Sequence, residues 1–135
     1  MKKDRLYFSS KIELRKSPIH GWGVFAKTFI PKGEILEEVP FLVIPMSPTE
    51  ASSIFIHYRF NFPSGNGKWK KQVIPFGNAC LYNHSDTPNS WWYSDEENEL
   101  FIFQTTKDIE PDMELTTYYG GSNYWSDGRQ DTKIK

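Results

Sequence analysis

Gly21-Trp22-Gly23-Val24-Phe25-Ala26 separates two architectures. As G-x-G-x-x-A it fits the fingerprint that closes a strand and opens a phosphate-cradling helix in a dinucleotide-binding βαβ unit. Here Pro31 and Gly33 cut off any such helix, and the β-branched and aromatic run that follows leaves no room for the unit. The segment therefore reads as strand. Its glycines either shape a tight turn or let a ligand approach the backbone, with Trp22 between them supplying main-chain donors and acceptors.

The chain around it reads the same way. Of the 135 residues 16% are aromatic, and Gly 9 with Pro 9 punctuates short apolar runs, a mixture that predicts many short strands joined by tight turns. Ile12-Glu13-Leu14-Arg15 alternates with period two, Trp22 to Ala26 is a short buried run, and Ile35-Leu36-Glu37-Glu38-Val39 follows a Pro31-Lys32-Gly33 turn. Phe41 to Ile44, Tyr58 to Phe62, Gln72 to Ile74, Asn89 to Tyr93, Leu100 to Phe103 and Glu114 to Thr117 continue the pattern. One short helix is predicted where Ser47, Pro48 and Glu50 make a capping box leading toward Ile54 and Phe55. The expectation is a mostly β fold of several small sheets with one or two short helices. Residues 1–135 read as one domain, with a core over about 12–121, a tail over 122–135, and disorder at Met1 to Asp4 and about Arg129 to Lys135.

Charge and composition exclude several functions. Lys+Arg 16 against Asp+Glu 17 leaves a net charge of −1, so no global field draws the chain to polyanions or acidic lipids. Direct nucleic-acid binding is not expected, and Lys68-Trp69-Lys70-Lys71 reads as a solvated strand edge; a binder using it with Trp91 and Trp92 would show steep salt dependence. Cys80 is the one cysteine, which forbids an intramolecular disulfide and a multi-cysteine zinc cluster and reads as a core hydrophobe. His20, His57 and His84 lack the spacing of a metal motif, so no metal is expected. With no signal peptide and no long apolar run, the chain reads as soluble and intracellular, cytoplasmic or host-nuclear residence being unassigned.

Two further segments carry chemistry. Asn83-His84-Ser85-Asp86-Thr87-Pro88-Asn89 is polar and turn-forming between apolar Cys80-Leu81-Tyr82 and Ser90-Trp91-Trp92-Tyr93, so its side chains are expected half-buried and hydrogen-bonded. His84 has no nucleophile signature beside it that would make it a general base. Glu114-Leu115-Thr116-Thr117-Tyr118-Tyr119-Gly120-Gly121 ends the last strand with two tyrosines, one inward and one outward by the period of two.

Taken in order, these segments resemble the SET domain, the fold of protein lysine methyltransferases, in its compact stand-alone style without zinc-binding flanks. Ser17 to Ala26 with Ile30 to Glu34 resembles the family's first motif. Leu81 to Ser85 with Pro88-Asn89 resembles the second, and Lys107 to Ile109 through Glu114-Leu115-Thr116 to Tyr119 the third. The resemblance runs from about Leu14 to Gly121. It implies a pseudoknot in which the second and third motifs pack side by side, and S-adenosylmethionine as methyl donor. It further implies that the backbone of Gly21, Trp22 and Gly23 and the Asn83 side chain hold the donor's methionine portion. His84 would contact adenine through its main chain, and the Tyr119 hydroxyl would sit at the transfer site as the catalytic group. The partner implied is a protein with an exposed lysine, such as a histone or another basic tail; a homodimer is left open.

Departures from the pattern shape the rest. Asp86 stands where many members carry a cysteine, and none follows Gly121, so Tyr124 and Trp125 are the aromatic candidates to close over the lysine channel and the cofactor. Thr117 stands where many members carry the Phe or Tyr that limits methyl number, Tyr118 replaces a common Asp, and Tyr58 is a further channel candidate, with Tyr118 and Thr117 beside it in the expected channel. The leading expectation is an S-adenosylmethionine-dependent protein lysine N-methyltransferase. The alternative is a catalytically silent module of the same fold that binds a lysine-bearing tail or the cofactor.

Overall fold

The computed structural model describes residues 3–43, 60–62 and 71–118. Their strands are β1 (Ile12–Lys16), β2 (Trp22–Ala26), β3 (Ile35–Val39), β4 (Phe41–Val43), β5 (Phe60–Phe62), β6 (Lys71–Pro75), β7 (Asn83–His84), β8 (Ser90–Asp95), β9 (Leu100–Thr105) and β10 (Glu114–Thr117). They form three small sheets with orders β1-β2-β10-β7, β3-β9-β8 and β4-β6-β5. The mostly β architecture of several small sheets is thus as expected. The helix predicted from Ser47 lies outside the described residues, as do Ile44, Tyr58 and Arg59 at the ends of predicted strands. A single 3-10 turn, Ala79–Leu81, is the helical element among the described residues.

Strand β9 lies between β3 and β8, so Leu100, Phe101, Ile102 and Phe103 are all buried rather than alternating. The Phe101 ring meets Phe41, Phe60, Phe62 and Trp92 at centroid distances of 5.3–5.7 Å, which joins this sheet to the β4-β6-β5 sheet. Tyr82 stacks on Phe103 at 4.6 Å, their planes 10° apart. Val24, Ala26, Ile30, Leu36, Ile109 and Leu115 belong to the same buried cluster.

Four expectations are corrected. Trp22 is 49% exposed, although the strand it opens is otherwise buried, and Leu14 is 42% exposed. Both lie on the face of the β1-β2 hairpin that carries buried Ile12, Val24 and Ala26, but on an edge strand or at the hairpin's end, where the sheet outruns the core. Cys80 is only half-buried; Ala79 and Tyr82 beside it take the core positions. The start of the chain is anchored at Lys3, whose N–H donates to Asn98 Oδ1 at 2.7 Å and whose ammonium pairs with the Glu38 carboxylate.

What positions the site is the middle of the first sheet. Strand β10 pairs antiparallel with β2 (Glu114 opposite Phe25, Leu115 opposite Val24) and parallel with β7 (Thr116 opposite Asn83, Thr117 opposite His84). Side chains at the start of β8 reinforce it. Asn89 Nδ2 donates to the Glu114 carbonyl while Asn89 Oδ1 accepts from Thr116 N, both at 2.9 Å, and Ser90 Oγ donates to the Thr116 carbonyl at 2.6 Å. The three motif segments, far apart in sequence, are thereby brought to one place.

Candidate cofactor site

Ser17 to Gly21 forms a tight loop, closed by Ser17 N donating to the Gly21 carbonyl at 2.7 Å. Gly21 has φ +52°, a left-handed conformation that favours glycine. Ser17 Oγ accepts from Ile19 N at 2.9 Å and donates to the Glu114 carboxylate, lying 2.7 and 2.9 Å from its two oxygens. The loop's conformation is therefore tied to the start of β10.

Asn83 is fully buried, and its Nδ2 donates twice, to the His20 carbonyl at 3.0 Å and to Glu114 Oε2 at 2.7 Å. An amide nitrogen has two hydrogens, so this end of the side chain is committed to the protein. Glu114 itself has no cationic partner among the described residues. His20 Nε2 is buried and without a hydrogen-bond partner among them.

Gly23 borders the same point. A Cβ built on it would lie 2.3 Å from Glu114 Oε2 and 3.1 Å from Asn83 Nδ2. The register explains the approach: Glu114 faces Phe25, and Gly23 lies two residues along on the same face of β2. Part of what glycine supplies here is room for a carboxylate of the protein's own. By the same alternation Trp22 points to the opposite face, where the Lys16 ammonium sits 4.7 Å from its ring centroid. Only the Trp22 backbone faces the Asn83 side.

The other expected site residues divide. His84 is half-buried in β7, its Nε2 2.9 Å from Asp86 Oδ1 and its ring 5.3 Å from that of Tyr118, which is 46% exposed. Thr117 is buried opposite His84, and Ser85 N donates to its carbonyl at 3.0 Å. Tyr58, Tyr119, Tyr124 and Trp125 lie outside the described residues. Among the described residues no group of three or more His, Cys, Asp or Glu is placed to hold a metal ion, and no helix is long and apolar enough to cross a membrane.

Glu114 is the residue that sequence reasoning passed over. At the first position of a strand it reads as a solvent-facing charge, and nothing local marks it as the meeting point of Ser17 and Asn83. Among the described residues the point where the three segments meet thus holds a carboxylate with no cationic partner, an amide committed through its nitrogen and an adjacent backbone turn.

The mostly β fold of small sheets, with its second and third motifs paired in parallel, belongs to a known class: residues 21–120 match the SET domain, and the chain is a member of that family. A Schizosaccharomyces pombe relative, a histone-lysine N-methyltransferase that is H3 lysine-37 specific, is 27% identical over 121 residues, covering 87% of this chain and 79% of that protein. A Plasmodium falciparum structure whose name assigns it provisionally to the histone methyltransferases has 31% identity and a TM-score of 0.67 over 85% of this chain and 97% of that one. The Neurospora SET domain protein DIM-5, a histone lysine methyltransferase, shares the fold at a TM-score of 0.65 with 19% identity, over 82% of this chain and 52% of that one. Family and relatives together assign the chain to the protein-lysine methyltransferases.

Proposed function

We propose that this chain transfers a methyl group from S-adenosylmethionine to the side-chain amine of a lysine in a protein substrate, a histone being the first candidate. The observation that carries this reading is the convergence of the Gly21-Trp22-Gly23 backbone, the Asn83 amide and the Glu114 carboxylate at one buried point from three separate segments. The S. pombe relative, by its name, methylates histone H3, which supports a histone as substrate.

The donor, when bound, supplies an electrophilic methyl group on a sulfonium. Asn83 and the backbone from Gly21 to Gly23 would hold its amino-acid end, and the His84 main chain its adenine. The lysine would reach the site as the neutral amine, its proton having passed to solvent; its nitrogen would gain the methyl carbon as the sulfur–carbon bond breaks, leaving a methylated ammonium and the neutral thioether S-adenosylhomocysteine. A free lysine with pKa about 10.4 is only about one part in a few thousand neutral at pH 7, so the site has to favour the neutral amine. Desolvation in an aromatic channel and a neighbouring positive charge both do so, which makes a separate general base unnecessary. Tyr58, Thr117, Tyr118 and Tyr124 are assigned to that channel, Trp125 to the cover over the cofactor, and the Tyr119 hydroxyl to orienting the amine and polarising the methyl.

The test is incubation of the full chain with methyl-labelled donor and a panel of histones plus cell lysate. Label on the lysine of a protein band is expected. Donor that binds but is never transferred would replace this reading with that of a silent binding module.

A further inference from the structure

The loop between β1 and β2 is organised around one hydroxyl. Pro18 has no N–H, so Ile19 and His20 carry the donors inside the loop, and both point at Ser17 Oγ, at 2.9 and 3.4 Å. Ser17 N closes the loop on the Gly21 carbonyl at 2.7 Å. A serine oxygen that accepts from the backbone just after it fixes a turn where no strand ladder does so. Its own proton is left to donate outward, and it goes to the Glu114 carboxylate at the start of β10. That carboxylate also fills the space beside Gly23 where a Cβ would otherwise lie. One small side chain therefore shapes the turn that leads into Gly21-Trp22-Gly23 and ties it to the strand it faces.

We propose that Ser17 is a positioning residue of the donor site: accepting from the loop and donating to Glu114, it sets the Gly21-Trp22-Gly23 backbone in the conformation that receives the donor's amino-acid end. This rests on the reading of that backbone as part of a donor site. The hydroxyl is committed to the loop and to Glu114, so Ser17 acts through the main chain and does not touch the reacting atoms. The polarity of its contact with Glu114 separates this role from packing. Ser17→Asp keeps an acceptor for the loop N–H groups but sets carboxylate against carboxylate. Adding Glu114→Gln repairs the clash with donor and acceptor exchanged, because the new amide nitrogen can donate to position 17 while the amide oxygen still accepts from Asn83 Nδ2.

The test is calorimetric titration of the full chain with S-adenosylhomocysteine, combined with hydrogen exchange at the Ile19 and His20 amides in ligand-free protein. Ser17→Ala should weaken binding about fivefold or more and speed exchange at both amides. Ser17→Asp should weaken binding about tenfold or more, and Ser17→Asp with Glu114→Gln should return to within about threefold of the parent, since residues in contact are not additive. In turnover, Ser17→Ala should raise KM for the donor while kcat at saturation changes little. A folded Ser17→Ala that binds like the parent, a loss confined to kcat, or a double variant that binds no tighter than Ser17→Asp overturns the proposal. Should Ser17→Ala not fold, the comparison of Ser17→Asp with the double variant decides alone: recovery supports the proposal and its absence overturns it. A parent chain that does not bind S-adenosylhomocysteine rejects the donor site itself, and this proposal with it, an outcome distinct from parent binding that the Ser17 variants leave intact.

Discussion

The Tyr82 hydroxyl donates a 2.6 Å hydrogen bond to Glu37 Oε2, joining strand β3 to the residue immediately before Asn83. Asn78 N donates to the other oxygen at 2.9 Å, and both Tyr82 and Glu37 are fully buried. The pair carries the core up to Asn83 and gives the fold a titratable group that the sequence places in an ordinary strand.

Burial raises the Glu37 carboxyl above the usual carboxylate range, against the opposing effect of the bonds from Asn78 and Tyr82. A raised folded-state value means that the proton's stabilisation is fully present below the unfolded value, about 4.3, and is lost as pH rises through the folded one. Relative to Glu37→Gln, the parent should therefore lose stability as pH climbs from about 4.3 through the raised folded-state value. Urea unfolding at a series of pH values checks this; a difference that does not vary with pH would contradict it. Glu37→Ala should destabilise at every pH, by about 1–3 kcal/mol for each buried donor left unpaired.

Asn83→Ala should weaken S-adenosylhomocysteine binding by a factor corresponding to about 1.5–3 kcal/mol, the usual worth of a hydrogen bond to a charged group. It should also lower the melting temperature, because the His20 carbonyl and Glu114 Oε2 lose a shared donor. Parent-like affinity in a folded variant would take Asn83 out of the site.

Tyr119→Phe should reduce turnover at least tenfold, about 1.4 kcal/mol of barrier, with donor affinity within a few-fold of the parent. Steady-state kinetics alongside calorimetry separates the two effects. A fully active variant would remove the hydroxyl from the transfer step.

Single-turnover rate should rise about tenfold per pH unit through the neutral range and level off only where the substrate lysine loses its proton in the complex. Rapid-quench measurement with labelled donor gives the profile. A plateau reached already near pH 6.5 would point to a titrating group of the enzyme instead.

Phe101→Ala should cost about 3–5 kcal/mol of unfolding free energy, since the fully buried ring touches Phe41, Phe60, Phe62 and Trp92 and its loss leaves a cavity between two sheets. Denaturant unfolding reads this directly, and a cost below about 1 kcal/mol would show that the sheets close over the gap.

The sequence alone determined where most strands run and which segments resemble the family's motifs. Apolar alternation and the turns at Pro31-Lys32-Gly33 are local signals, written within a few residues. The order of three polar and glycine-bearing segments was likewise legible, and with it the family. The tertiary structure decided what local patterns do not encode. Strand β7 is two residues long, too short for any periodicity, yet its parallel pairing with β10 sets Asn83 beside Thr116. Trp22 is left exposed because the hairpin end outruns the core, although it shares the face of buried Val24 and Ala26. Glu114 became the link between Ser17, 97 residues away, and Asn83, 31 away, because strand register aims its side chain into the space of a missing Cβ. Hydrophobic patterning says which face of a strand is apolar; which polar group meets which across a sheet is fixed only when strands from distant parts of the chain pair.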